Sequence, residues 1–144
     1  MLAAGESGAD ECARRRAALA ALLGDHLQSL LDTLMPEAVR ASGLGQNMLE
    51  NYHHGARETL PIALRAVAAD DRERDLLLTD LLTLMQTISR QRHVPPIVER
   101  GLVGLGFRLA LTQVRARAAK YGCTADELEL ELLGFRNAFE EKYK

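Results

Sequence analysis

Apolar side chains recur along this chain at steps of three and four, and no segment alternates with the period of a strand. Leu19, Leu22, Leu23, Leu27, Leu30, Leu31 and Leu34 share one face of a helix whose N-cap is expected at Asp10. The small, polar residues 1–9 before it are expected to fray as a flexible N-terminus. Gly24 is a point where that helix can break or bend. Pro36 suits the first turn of a short second helix, where a missing N–H costs nothing, and the ASGLG stretch at 41–45 permits a chain reversal after it.

From Gln46 to Ala69 the stripe is Met48, Leu49, Tyr52, Ala56, Leu60, Ala63, Leu64 and Val67, with a kink or break predicted at Pro61. Asp70 followed by Glu73 reads as a capping box that opens a helix with Leu76, Leu77, Leu81, Leu84, Met85 and Ile88 inside. That helix should stop near His93, because a residue before proline avoids helical backbone angles. Pro95-Pro96 starts the next helix, whose stripe is Val98, Leu102, Leu105, Leu109, Leu111 and Val114, and Gly122 is its expected C′ residue. Thr124 and Glu127 form a second capping box. The last helix places Leu128, Leu132, Phe135 and Phe139 at steps of four, three and four. The pattern predicts an all-α bundle of five to seven helices, with no hairpin signal and no internal repeat.

Residues 88–109, ISRQRHVPPIVERGLVGLGFRL, set a double proline between two helices and then thin the second with glycine. Each of Gly101, Gly104 and Gly106 costs about 1 kcal/mol relative to Ala in a helix, so the expected return is a tight corner followed by close crossing of a neighbour. This stretch resembles the corner before the long penultimate helix of globin-type bacterial sensor domains. It is also similar to the helical N-terminal domains of RsbR-type stressosome proteins and of PucR- and CdaR-type regulators. The resemblance covers roughly residues 22–120 in helix order, and its specific part is residues 84–109. It implies a globin-like sensor domain over 10–122, followed by an association or linker helix at 123–144. In heme-binding members of that family, the position of the proximal histidine counts back from the corner to Ile88 or Ser89, neither of which ligates iron in the ordinary way. The resemblance therefore implies the non-heme branch, with no cofactor.

Composition narrows this picture. Aromatics are only 4% and Trp is absent, so the core must be built from Leu, Ala, Val and Ile, which suits packed helices. With 18 basic and 20 acidic side chains the chain has no general field for nucleic acid, and the runs Arg14–Arg16 and Arg115–Lys120 are expected to be solvated helix faces. Cys12 and Cys123 stand far apart, form no metal-type cluster and are expected as free thiols of a reducing compartment. The N-terminus lacks the basic and apolar regions of a signal peptide, and no run is long enough to span a membrane, so the expected location is the cytoplasm.

Candidate chemistry is sparse. His53 and His54 are neighbours in a helix and point about 100° apart, so they cannot face one site together. Glu50 and His53 make a single ExxH spacing, whereas a di-iron bundle needs two such motifs. Cys123 lies before a helix cap, where a thiol can feel the helix N-terminus; an inert thiol is the other reading. GLVGLG at 101–106 follows no strand and reads as packing, and Ser89 has no GxSxG context. Neither catalysis nor a metal site is expected.

The function expected is a sensory or regulatory homodimerisation domain that relays a signal to an output domain or partner protein by helix repacking. A small ligand, where one binds, is expected among Tyr52, Met85, Ser89 and Phe107. Leu128, Leu132, Phe135 and Phe139 serve equally to dock the last helix on its own domain or to form a self-association seam, and the dimer expectation rests on the second. The alternative functions are a heme-based gas or redox sensor using His53, His54 or His93, and a helical adaptor similar to the N-terminal domains of RsbU-type phosphatases.

Overall fold

The computed structural model describes residues 4–26, 29, 32, 36, 40 and 46–143. Among the described residues the chain forms five α-helices and no strand: α1 (Ala4–Asp25), α2 (Gln46–Ala68), α3 (Asp71–Gln91), α4 (Pro96–Arg117) and α5 (Ala125–Tyr143), with a 3-10 turn at Ala118–Tyr121. The expected short helix from Pro36 falls almost entirely outside the described residues. None of the helices is long and apolar enough to cross a membrane, among the described residues.

Helix α1 is the hub and packs on α2, α4 and α5; α3 pairs with α2 and also touches α5, and α4 leans on α5. One core results, with Leu19 and Leu22 from α1, Ala66 and Val67 from α2, Leu78 and Leu81 from α3, Val114 from α4, and Leu128, Leu132, Phe135 and Phe139 from α5. Each such Leu, Val or Phe contributes about 1.5–3 kcal/mol by leaving water.

The helix ends follow their capping residues. Asp70 Oδ1 accepts a hydrogen bond from the Glu73 amide at 2.8 Å, and α3 begins one residue later. Thr124 and Glu127 close the full reciprocal box, with Thr124 N donating to Glu127 Oε1 at 3.0 Å and Glu127 N to Thr124 Oγ1 at 3.1 Å. Gly122 takes the left-handed conformation, φ 76°, and ends the 3-10 turn rather than α4 itself. At the end of α3 the left-handed residue is His93, φ 55°. The amide of His93 donates to Arg90 O and that of Val94 to Ser89 O, the paired bonds of a Schellman stop. Pro95 then caps α4 and Pro96 is its first residue.

Four expectations change. Helix α1 starts at Ala4, so Asp10 lies exposed inside it rather than capping it. No proline interrupts residues 4–9, and a nucleated helix propagates through residues of middling propensity. Pro61 does not break α2; both Pro61 and Arg57, whose carbonyl loses its amide partner, lie on the exposed side where water can substitute. Leu76 is 64% exposed while Leu78 is 1% exposed, because consecutive leucines cannot all face inward and the buried set 74, 77, 78, 81, 82 and 88 keeps the helical period. Gly101 and Gly104 make no close crossing: both are exposed, and nothing among the described residues lies within 4 Å of a Cβ built on either.

Candidate functional site

Between α4 and the α2–α3 pair runs a cleft of about 240 Å³. Its walls are Ala56, Leu60 and Ala63 of α2, Leu81, Met85 and Ile88 of α3, and Leu102, Val103 and Gly106 of α4. Phe107 faces it from α4 and Phe135 and Phe139 from α5, with ring centroids 6.1 Å and 5.7 Å from that of Phe107. Gly106 thus lines the cleft without a side chain.

The corner supplies the polar end. Ser89, in the last turn of α3, donates through Oγ to Glu99 Oε2 in the first turn of α4. Tyr143, at the end of α5, donates through its hydroxyl to Glu99 Oε1. One carboxylate therefore ties together the ends of three helices, and Ser89, Glu99 and Arg92 all line the cleft. Burial, reinforced by the hydrogen bond to Glu99 and by its charge, raises the Tyr143 phenol well above its ordinary range. The Schellman stop and Pro95 fix this geometry by turning the chain within the few residues between Ser89 and Glu99.

Of the four residues expected to share a pocket, Met85, Ser89 and Phe107 do line this cleft. Tyr52 belongs to α2, but its side chain lies outside the described residues. The histidines are not brought to the cleft: His53 and His54 are half-buried elsewhere on α2, and His93 is exposed in the corner, its backbone committed to ending α3. Among the described residues no three His, Cys, Asp or Glu side chains gather as a metal group.

The expected association seam is used within the chain. Leu128, Leu132, Phe135 and Phe139 are 0–4% exposed in the domain's own core, so α5 docks on its own domain, and a surface seam of these four residues is not present. The arginine run near the N-terminus is only partly a solvated face: Arg14 is exposed, whereas Arg15 and Arg16 are drawn inward. Arg16 donates to Ala69 O and to Asp71 Oδ1, both at 2.7 Å, and its Nε lies 3.6 Å from Glu131 Oε2. Burial works against the charge of Arg16, but Asp71, Cys12 and Glu131 outweigh it and hold the guanidinium firmly protonated. Arg15 pairs with the same Glu131 at 3.4 Å, and Arg14 donates to Gly122 O at 3.1 Å. These contacts fasten α1 to the α2–α3 turn and to the start of α5. Cys12 Sγ lies 3.9 Å from Glu131 Oε1 and Cys123 Sγ 3.7 Å from Arg14; both thiols are free.

Glu99 and Tyr143 were outside the sequence-based pocket. Reading stripes selects apolar positions, and the only available signal was Glu99's place in the first turn after the double proline, next to the last turn that carries Ser89. The chain matches no protein-family model, no curated protein and no solved structure.

Proposed function

We propose that this chain is a non-catalytic regulatory domain that senses an apolar small molecule in the α2–α5 cleft and relays its presence through the packing of α5. The observation that carries this reading is the double duty of Phe135 and Phe139. Both are core residues that hold α5 on the domain, and both wall the cleft. A molecule entering between α3 and α4 touches the same rings that dock the last helix. Its binding energy can then shift α5 between two packings, provided the two differ in affinity for it. The apolar lining with a few convergent polar groups at one end is the usual composition of a small-molecule site. The expected globin-like character and the relay to an output domain or partner protein belong to this reading. Its relay element is the docked face of α5, in place of an exposed heptad seam.

The test is titration with butylbenzene, a neutral apolar probe, followed by hydrogen exchange. Saturable binding that alters amide exchange across residues 125–143 more than across 4–25 is the expected result. Absence of saturable binding, or binding that leaves exchange in α5 unchanged, would overturn the reading.

A further inference from the structure

We infer that the cleft's ligand is a neutral, mostly hydrocarbon molecule of about ten non-hydrogen atoms with one hydroxyl group, and that Glu99 accepts the hydrogen bond from that hydroxyl. The inference rests on the ligand-sensing reading above and specifies what is sensed.

Size comes first. An engineered apolar cavity of about 150 Å³ accepts benzene, so in proportion the 240 Å³ here suits a molecule of about ten heavy atoms. The cleft is lined by aliphatic and aromatic carbon along most of its length, which calls for a hydrocarbon body. Head-group chemistry is set at the corner. Glu99 presents a carboxylate whose two oxygens each accept one hydroxyl, from Ser89 and from Tyr143, and a carboxylate has room for further donors. A ligand carboxylate would meet this negative charge at short range and be disfavoured. A ligand ammonium would be drawn to Glu99 but would meet the positive charge of Arg100, close enough to act on Tyr143, and would have to shed its hydration to enter an apolar cleft. A neutral hydroxyl avoids both conflicts and supplies the donor that Glu99 can take. Thr59, the remaining hydroxyl on the wall, already donates to Gly55 O at 2.6 Å and offers no competing donor. Glu99 would therefore set both the orientation and the head-group preference of the ligand.

The experiment compares four probes of similar length by calorimetry on the full chain: 1-nonanol, nonanoate, nonylammonium and butylbenzene. 1-Nonanol is expected to bind at least about tenfold more tightly than nonanoate or nonylammonium, the worth of one hydrogen bond to a charged acceptor. Glu99→Gln keeps the shape and a carbonyl acceptor while removing the charge, so it should narrow the gap between nonanol and nonanoate about tenfold. Glu99→Leu should weaken nonanol by a similar factor and leave butylbenzene unchanged. Circular dichroism of both variants establishes folding, and Ser89→Ala gives a third variant that perturbs the corner without touching the carboxylate. If butylbenzene binds but the head group makes no difference, the hydroxyl assignment is overturned while the sensing reading survives. If no probe binds, or if nuclear Overhauser contacts place residues 27–45 of the chain itself against the Met85 methyl, the cleft is not a ligand site and both fall.

Discussion

The guanidinium of Arg74 lies 5.4 Å from the ring centroid of Phe135, stacked over its face, while its Nε and Nη2 donate to Ala66 O at 3.0 Å and Val67 O at 2.9 Å. A charged residue only 5% exposed thus caps the C-terminal carbonyls of α2, where the helix dipole favours a cation, and roofs an aromatic of α5. Burial, and then the nearby charge of Arg16, lowers its affinity for the proton, with Asp71 and Glu131 offsetting part of the effect. Arg74→Met is expected to cost about 3 kcal/mol, because two buried carbonyls lose charge-assisted donors. Arg74→Lys should recover less than half of that, since an ammonium lacks the planar fork that reaches both carbonyls and stacks on Phe135. Urea unfolding of the two variants checks both statements.

Helix type and most helix ends were legible in the sequence because they depend on short-range chemistry: Asp70, Pro96 and Thr124 act on their own neighbours. What stayed hidden depends on which helix faces which. Leu128 to Phe139 has the same spacing whether it docks at home or on a second copy, and the placement of α1, α3 and α4 decides it. Glu99 and Tyr143 are 44 residues apart and no local rule joins them. Met85 was reached because it sits on a stripe that must face inward, and Ser89 and Phe107 through the resemblance to a globin pocket, whereas Arg74 was missed because a buried arginine contradicts the hydropathy pattern and is justified only by the carbonyls it meets.

His93 holds a left-handed conformation that a glycine adopts without strain. Since the side chain is exposed, His93→Gly should stabilise the protein by about 0.5–1 kcal/mol, and His93→Val should destabilise it by about 1 kcal/mol or more. Thermal unfolding of the two variants measures the sign directly. Equal and opposite shifts are not required; a loss of stability in His93→Gly would mean that the imidazole contributes more than the backbone strain costs.

Gly101 and Gly104 stand in the interior of α4, and nothing among the described residues lies within 4 Å of where a Cβ would project. Replacing each with Ala should stabilise by about 0.5–1 kcal/mol through helix propensity alone, with near-additive effects in the double variant. Gly106 lines the cleft, so Gly106→Ala should instead weaken binding of the apolar probe. Chemical denaturation and probe titration on the same three variants separate the two roles of glycine in this helix.

Tyr143 gives the fold an alkaline limit. Its folded-state pKa is raised above the ordinary value of 10.0, by burial first and by Glu99 next. The sign follows from linkage: the contribution is fully present below that value and is lost as pH rises toward the folded-state pKa, because the unfolded chain releases the proton first. Stability should therefore decline above about pH 10. Tyr143→Phe should flatten part of that decline while costing some stability at neutral pH, where the hydrogen bond to Glu99 is lost. Urea midpoints of both proteins across the alkaline range provide the measurement.

Phe139 is the most informative position on α5. It is 3% exposed, stacks on Tyr143 at 5.2 Å between centroids, and meets Phe107 edge-on at 5.7 Å. Truncation to Ala removes a ring shared by the core and the cleft wall, so Phe139→Ala is expected to cost about 3–5 kcal/mol. Because these contacts lie within one chain, the loss should be the same over about a hundredfold range of protein concentration; a stability tied to a self-association seam would instead rise with concentration by mass action. If the variant stays folded at low temperature, the enlarged cleft should take a bulkier apolar probe than the wild type does. A loss that grew on dilution would show that this face of α5 is buried against a second copy, and the docking of α5 on its own domain would have to be abandoned.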